Sequence, residues 1–297
     1  MPRKLVSFDW AMKKILRQKA NFVILEGFLS ELLKFDVKIE EILESEANQD
    51  TQDDKFNRVD LLAKNENEEL ILIEVQHNSE IDYFHRMLYG ASKLICEYIS
   101  QGKGYARVKK VYSVNIVYFA LGEGEDYVYY GKTEFKGLHN KREILSPSNR
   151  QKEDYKIENI SQIYPEYYIL RVNKFDDIAK NSLDEWIYFL KNEIIEERFK
   201  AKGLKEAIDA LDVLKLDKKG RALFNRREEN KMYKASLLYT AKVEGKMEGK
   251  IEGKLEEKKE IAKNLLDILD NKIIASKTGL TIQDIEQLRK NQNKGKK

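Results

Sequence analysis

The sequence predicts an α/β fold: a small mixed sheet flanked by helices, followed by a helical C-terminal region. Three observations carry this expectation. Residues 7–119 alternate between helical and strand patterning, the mark of a sheet with helices packed on it. Residues 127–172 are looser and tyrosine-rich, consistent with strands that extend the sheet. From Leu183 onward the spacing is helical, with few turn residues.

Each element follows from its own pattern. In residues 21–34 Phe22, Leu25, Phe28, Leu29, Leu32 and Leu33 fall on one side, which predicts an amphipathic helix. Residues 37–43 alternate imperfectly through Val37, Ile39 and Ile42 and read as a weaker strand. Residues 58–63 form a short strand, and residues 70–75 (LILIEV) a better one, because branched side chains suit a pleated surface. The polar KNENEE between them is a turn, so the two pair as an antiparallel hairpin. Residues 81–100 return to helical spacing through Phe84, Met87, Leu88, Ala91, Leu94, Ile95 and Tyr98. Residues 111–119 (VYSVNIVYF) are apolar on both faces, as a central strand is. Residues 183–197 are amphipathic through Leu183, Trp186, Ile187, Leu190 and Ile194, and more helix follows over residues 204–242.

The chain of 297 residues therefore divides into a main domain over residues 1–175, a helical extension over 176–242, and a low-complexity tail over 243–297. Within that tail, residues 243–256 repeat a four-residue unit: Val243, Met247, Ile251 and Leu255 stand four apart, separated by Glu-Gly-Lys. Each glycine costs about 1 kcal/mol relative to alanine in a helix. A solvated helix or linker and a self-associating helix that makes a homo-oligomer are both open here. The GxxxG spacing is that of membrane helix dimers, but a charge at every other position excludes a membrane. Beyond the repeat, residues 260–269, 272–277 and 281–290 read as helices with a turn at Thr278 and Gly279. Thr281 and Asp284 make a capping-box start, so a helix-turn-helix contacting DNA is one reading and an ordinary helical tail the other.

Composition excludes several classes. Cys96 is the single cysteine, which rules out an internal disulfide and a cysteine-based zinc site. Its place near the apolar stripe of the helix over residues 81–100 predicts that it packs in the core. No run of eighteen apolar residues appears, so no membrane-spanning segment is expected. The first residues lack a signal-peptide pattern, and the expected location is cytoplasmic. With 54 basic and 51 acidic residues, net charge decides nothing about a nucleic-acid partner, which is recognised by a local basic patch.

The hairpin holds the residues that suggest chemistry. Asp60 lies in RVDLLA, and Glu74 and Gln76 end LIEVQ. Alternation puts Glu74 and Gln76 on one face, roughly 6.5 Å apart, and pairing can bring Asp60 to the same face. Acids bordered by apolar residues are costly unless paired or bound to a metal. A hard divalent cation suits them, and magnesium usually takes one or two protein carboxylates. Gln76 cannot act as a general base, but its amide can orient a water or bond a phosphate oxygen. Spacing alone leaves a second reading open, an edge hairpin with solvated acids.

The ordered segments FDWAMKKIL with FVILEGFLSELL, DKFNRVDLLA, LILIEVQ, YFHRMLYGASKL and GYARVKKVYSVNIVYF resemble those of the PD-(D/E)XK nucleases. In wording they are similar to the branch known as the Rpn, or PD-(D/E)XK nuclease family, transposases, which are recombination-promoting nuclease-like proteins. The resemblance is close over residues 7–119, and the Glu-Gly-Lys tail is also similar. It implies a PD-(D/E)XK, restriction-endonuclease-like core with DNA as partner. It also implies phosphodiester hydrolysis with Mg2+ or Mn2+ as cofactor, and a place in recombination or mobile-element biology. Catalysis then falls to Asp60, Glu74 and Gln76, with Asp60 and Glu74 as metal ligands. The alternative is a nuclease-derived DNA-binding or regulatory protein with little catalysis. Two departures stand out: Val59 replaces the signature proline before Asp60, and Gln76 replaces the final lysine. Glutamine there is the habit of this branch, although a neutral amide stabilises developing negative charge less than an ammonium does.

Such cores often place an acid of the first helix near the metal. Glu26 falls about 20° from Leu33 in projection and is preferred over Glu31, which points away. His85, Arg86, Tyr89 and Lys93 share one side of their helix, and Arg86, Tyr89 and Lys93 are candidate DNA contacts; a solvated face is the plainer alternative. Lys55 and Arg58 precede Asp60 and are further phosphate candidates. His77, His85 and His139 show no ligand spacing.

Overall fold

The structure, a computed structural model, describes residues 5–43, 60–99, 105 and 108–294. The apolar spacing after Asn21 forms helix α2 (Phe22–Leu33), preceded by the shorter α1 (Phe8–Lys14). Lys34 ends α2 in the left-handed conformation, φ 64°, which lets its amide bond the Ser30 carbonyl. The chain then forms β1 (Ile39–Leu43), β2 (Leu61–Asn65) and β3 (Leu70–Gln76).

Strands β2 and β3 pair antiparallel, with Leu61 opposite Ile73 and Lys64 opposite Leu70, so the expected hairpin is present. Its first strand ends two residues later than expected, at Asn65, and residues 58 and 59 of the expected strand lie outside the described residues. The polar run does not all turn: Lys64 and Asn65 stay in β2. Asn65 Oδ1 accepts from the amides of Asn67 and Glu69, and this closes the reversal around Glu68, φ 60°.

Helix α3 (Tyr83–Tyr98) leads to β4 (Val111–Val117), which is parallel to β3 and buried along its whole length. After β4 come β5 (Val128–Gly131), α4 (Asn149–Tyr155) and β6 (Glu166–Arg171). The six-stranded sheet has the order β1-β2-β3-β4-β6-β5, with β6 parallel to β4 and the outer pairs antiparallel. The mixed sheet and central β4 match the sequence expectation. Helix α4, within the tyrosine-rich stretch, does not; its signal is local, a capping box between Ser148 and Gln151.

Helix α3 covers one sheet face. Ala91 and Leu94 pack with Leu62, Leu70, Leu72 and Val111, while Tyr83 and Met87 pack with Val117, Phe119 and Leu121. The buried line is thus Tyr83, Met87, Ala91 and Leu94. Phe84 and Leu88, expected in that line, are 50% and 59% exposed, and Cys96 is exposed rather than packed. The residues at these positions are apolar enough to suggest burial, but helix rotation is set by Tyr83, whose ring meets Phe119 edge-on at 5.7 Å.

Another core gathers α1, α2 and α5 (Ser182–Asn192). Phe8, Phe28, Trp186 and Phe189 form an aromatic cluster with centroid separations of 5.3–6.3 Å. Gly27 lets α2 approach the backbone just before α6 (Leu204–Ala210), since a Cβ there would lie 2.2 Å from the Lys202 carbonyl oxygen.

The chain divides into two compact units, Met1–Arg221 and Ala222–Lys297. Helix α7 (Lys218–Leu265) runs through the Glu-Gly-Lys repeat as one continuous helix. At its end Ala262 and Leu266 pack with Ile274 of α8 (Asn271–Thr278), Leu280, and Ile285 of α9 (Ile282–Lys294). Gly279, φ 69°, makes the expected turn, and Thr281 and Asp284 cap α9 reciprocally. Among the described residues no helix is long and apolar enough to cross a membrane.

Candidate metal centre

Side-chain alternation along β3 aims Leu70 and Leu72 at α3, and carries Glu74 and Gln76 to the same face. Asp60 immediately precedes β2. One more step of the β2–β3 register places it opposite Glu74, and its Oδ2 accepts from the Val75 amide at 2.8 Å. Arg17, in the turn after α1, donates to the Asp60 carbonyl oxygen at 3.1 Å and so fixes the backbone there.

Glu74 is 7% exposed, and its Oε2 makes no hydrogen bond; Arg86 Nε stands 3.5 Å away without donating to it. Burial pushes the Glu74 carboxyl up to about 7, against the pull of Arg86 and with smaller pushes from Asp60 and Glu80. Glu80 organises the rim. It accepts from the Gln76 side-chain amide and receives Arg86 Nη1 at 2.9 and 3.1 Å. Arg86 therefore bridges Glu74 and Glu80. Beneath them Tyr83 is fully buried, and its hydroxyl donates to Asn115 Oδ1 at 3.3 Å, on the β4 position paired with Glu74. Burial, reinforced by the Glu74 charge, keeps that phenol protonated.

The structure brings Asp60, Glu74, Gln76 and Arg86 together. It does not bring Glu26 to them. Both Glu26 oxygens are engaged, one by the Ile39 amide at 3.0 Å and one by Lys38 at 3.2 Å. Ile39 pairs with Asn65, at the far end of β2, which is about 13 Å along the strand from Leu61. The reason is packing: the carboxylate caps the start of β1 instead of reaching the acids. Glu31 accepts from Ser182 on α5. On the outer side of α3, Tyr89 is 52% exposed and Lys93 pairs with Glu97 at 3.6 Å. Arg58 and Lys55 lie outside the described residues.

Four participants were missed in the sequence: Arg17, Glu80, Tyr83 and Asn115. Glu80 follows Gln76 by four residues in a turn, where an acid looks solvated. Arg17 is 43 positions from Asp60 in sequence, and no local pattern links them. His77 and Asp9 also meet, Nε2 to Oδ2 at 3.8 Å, with His77 stacked on Tyr118 at 4.3 Å.

Among the described residues no group of three or more His, Cys, Asp or Glu stands together as a metal cage. A two-carboxylate centre still suits a hard cation that keeps most of its waters. Glu74 Oε2, buried and without a hydrogen bond, is an acceptor fitted to such an ion, and Asp60 supplies a second carboxylate beside it. Glu80, Arg86 and Arg17 are further charged groups around these two acids.

Residues 6–241 match the family model described as PD-(D/E)XK nuclease family transposase. No curated protein matches the chain, and no solved structure does.

Proposed function

Because the chain belongs to the PD-(D/E)XK nuclease family transposases, we propose that it is a metal-dependent DNA endonuclease whose centre is built on Asp60 and Glu74. The observation behind this reading is the buried Glu74 oxygen without a hydrogen bond beside the Asp60 carboxylate. Asp60 and Glu74 would hold the ion, with Mg2+ the proposed cofactor and Mn2+ its substitute. When bound, a divalent cation neutralises charge on the scissile phosphate and acidifies the attacking water.

The chain's own residues do the rest. The Gln76 amide, held by Glu80, positions the water by hydrogen bonding without taking its proton. Arg86 offers a guanidinium to the phosphate from the same rim, and Arg17 keeps Asp60 in place. Tyr89 and Lys93, with Arg58, extend the contact along the DNA backbone. Cytoplasmic action on recombining or mobile DNA belongs to the same proposal.

Arg86 also favours a second reading, since a guanidinium against Glu74 competes with a cation for that oxygen. In that case the fold binds DNA and cleaves poorly. Plasmid nicking by the purified protein with Mg2+, Mn2+ or EDTA, beside Asp60→Ala and Glu74→Ala, separates the two. Metal-dependent nicking lost in both variants supports the endonuclease. Absence of nicking with either metal, together with salt-sensitive DNA binding that needs no metal, supports the second reading.

A further inference from the structure

Between residues 243 and 255, α7 presents an apolar row to solvent: Val243 (39% exposed), Met247 (61%), Ile251 (65%) and Leu255 (43%). Apolar side chains this exposed, recurring at one helical spacing, form a ridge that no described residue covers. The charges beside the row are ordered. At ~100° per residue, Glu244, Glu248 and Glu252 lie about 100° to one side of the apolar residue each follows, and Lys246, Lys250 and Lys254 about 60° to the other. The row thus has a glutamate margin and a lysine margin. Gly245, Gly249 and Gly253 fall on the back, where an added Cβ would meet nothing within 4 Å.

We propose that α7 binds a second copy of this chain in parallel through Val243, Met247, Ile251 and Leu255. Two identical helices facing each other about a twofold axis parallel to them bring the glutamate margin of each against the lysine margin of the other. Antiparallel copies instead set glutamates against glutamates and lysines against lysines, which is repulsive. A four-residue spacing exceeds the helical turn of 3.6, so the pair crosses or coils in the right-handed sense. The glycines each weaken an isolated helix by about 1 kcal/mol, so burying the apolar row also offsets a marginal helix. This pairing does not depend on the catalytic reading.

The test uses the full chain carrying Cys96→Ser, with single cysteines introduced by Val243→Cys, Leu255→Cys or Gly249→Cys. In the parallel pair each row position faces itself, so Val243→Cys and Leu255→Cys each cross-link to themselves under diamide. Gly249→Cys, on the back, does not. Cross-linking only when the Val243→Cys and Leu255→Cys proteins are mixed would mean an antiparallel pair and overturn the proposal. In sedimentation equilibrium the unsubstituted chain is expected to be a dimer, and Met247→Lys with Ile251→Lys a monomer. These side chains are exposed, so folding is not at stake. A monomeric unsubstituted chain, or a dimer indifferent to both lysines, would overturn it. The triple variant Glu244→Lys, Glu248→Lys, Glu252→Lys is expected to lose self-association, and to regain it on mixing with Lys246→Glu, Lys250→Glu, Lys254→Glu. Alanine at the three glycines is expected to keep or tighten the dimer; if it breaks the dimer, the interface lies on the glycine face and the assignment is wrong.

Discussion

Arg86 and Glu74 lie with Nε and Oε2 3.5 Å apart, and neither atom makes a hydrogen bond. A buried ion pair offsets its desolvation only when its geometry is good and its remaining polar atoms are satisfied. This pair meets neither condition, because Glu80 holds the other end of the guanidinium. The result is an acid kept in a dry place and left open to a stronger cation. On the proposed reading, this site gives up stability to hold a cation.

That cost is measurable against pH. The folded Glu74 carboxyl titrates at about 7, above its ordinary 4.5. Folding therefore favours its protonated form: the advantage is complete below about pH 4.5 and is lost as pH rises through 7. Relative to Glu74→Gln, the metal-free protein should be equally stable at pH 4 and on the order of 3 kcal/mol less stable at pH 8. Denaturant melts of both proteins across this window check it; superimposable stability curves would contradict it. Added Mg2+ should protect the unsubstituted chain more at pH 8 than at pH 5.5, since binding must displace the proton.

Glu80 is a positioning residue, holding Gln76 and Arg86 at once. Glu80→Gln keeps a hydrogen-bonding amide but removes the charge that anchors Arg86. Cleavage should fall roughly 10–100-fold, with the fall in kcat and Mg2+ affinity changing little. A Glu80→Gln protein with unchanged kcat would remove Glu80 from the account.

What the sequence made legible follows range of interaction. Branched residues in LILIEV and the apolar run VYSVNIVYF revealed β3 and β4, and the two-residue period of a strand revealed the face shared by Glu74 and Gln76, because both are local properties. The Asp60–Glu74 pairing was legible through the hairpin. The third acid was not: helical projection placed Glu26 at a border, but only tertiary packing decides that the border meets Ile39 and Lys38. Glu80 and Arg17 were hidden for the same reason. The line through Met87, Ala91 and Leu94 was legible, but Phe84 and Leu88 were wrongly added to it and Tyr83 left out, because their apolar rings and chains do not tell which side of the line meets the sheet.

The packing that seats the centre's scaffold has its own test. Gly27→Ala drives a Cβ to 2.2 Å from the Lys202 carbonyl oxygen, a backbone atom that cannot simply turn aside. The expected loss is about 1–3 kcal/mol, a fall in Tm of several degrees. An unchanged Tm would mean that α2 does not press on this segment.

The most direct measurement is Mn2+ binding, followed by the loss of the free-ion electron paramagnetic resonance signal, in the unsubstituted chain, Asp60→Asn, Glu74→Gln and Glu26→Gln. If Asp60 and Glu74 build the centre, the unsubstituted chain binds the ion, Asp60→Asn and Glu74→Gln weaken binding roughly tenfold or more, and Glu26→Gln leaves it unchanged. Undiminished binding in Asp60→Asn and Glu74→Gln, or a loss confined to Glu26→Gln, would contradict the account.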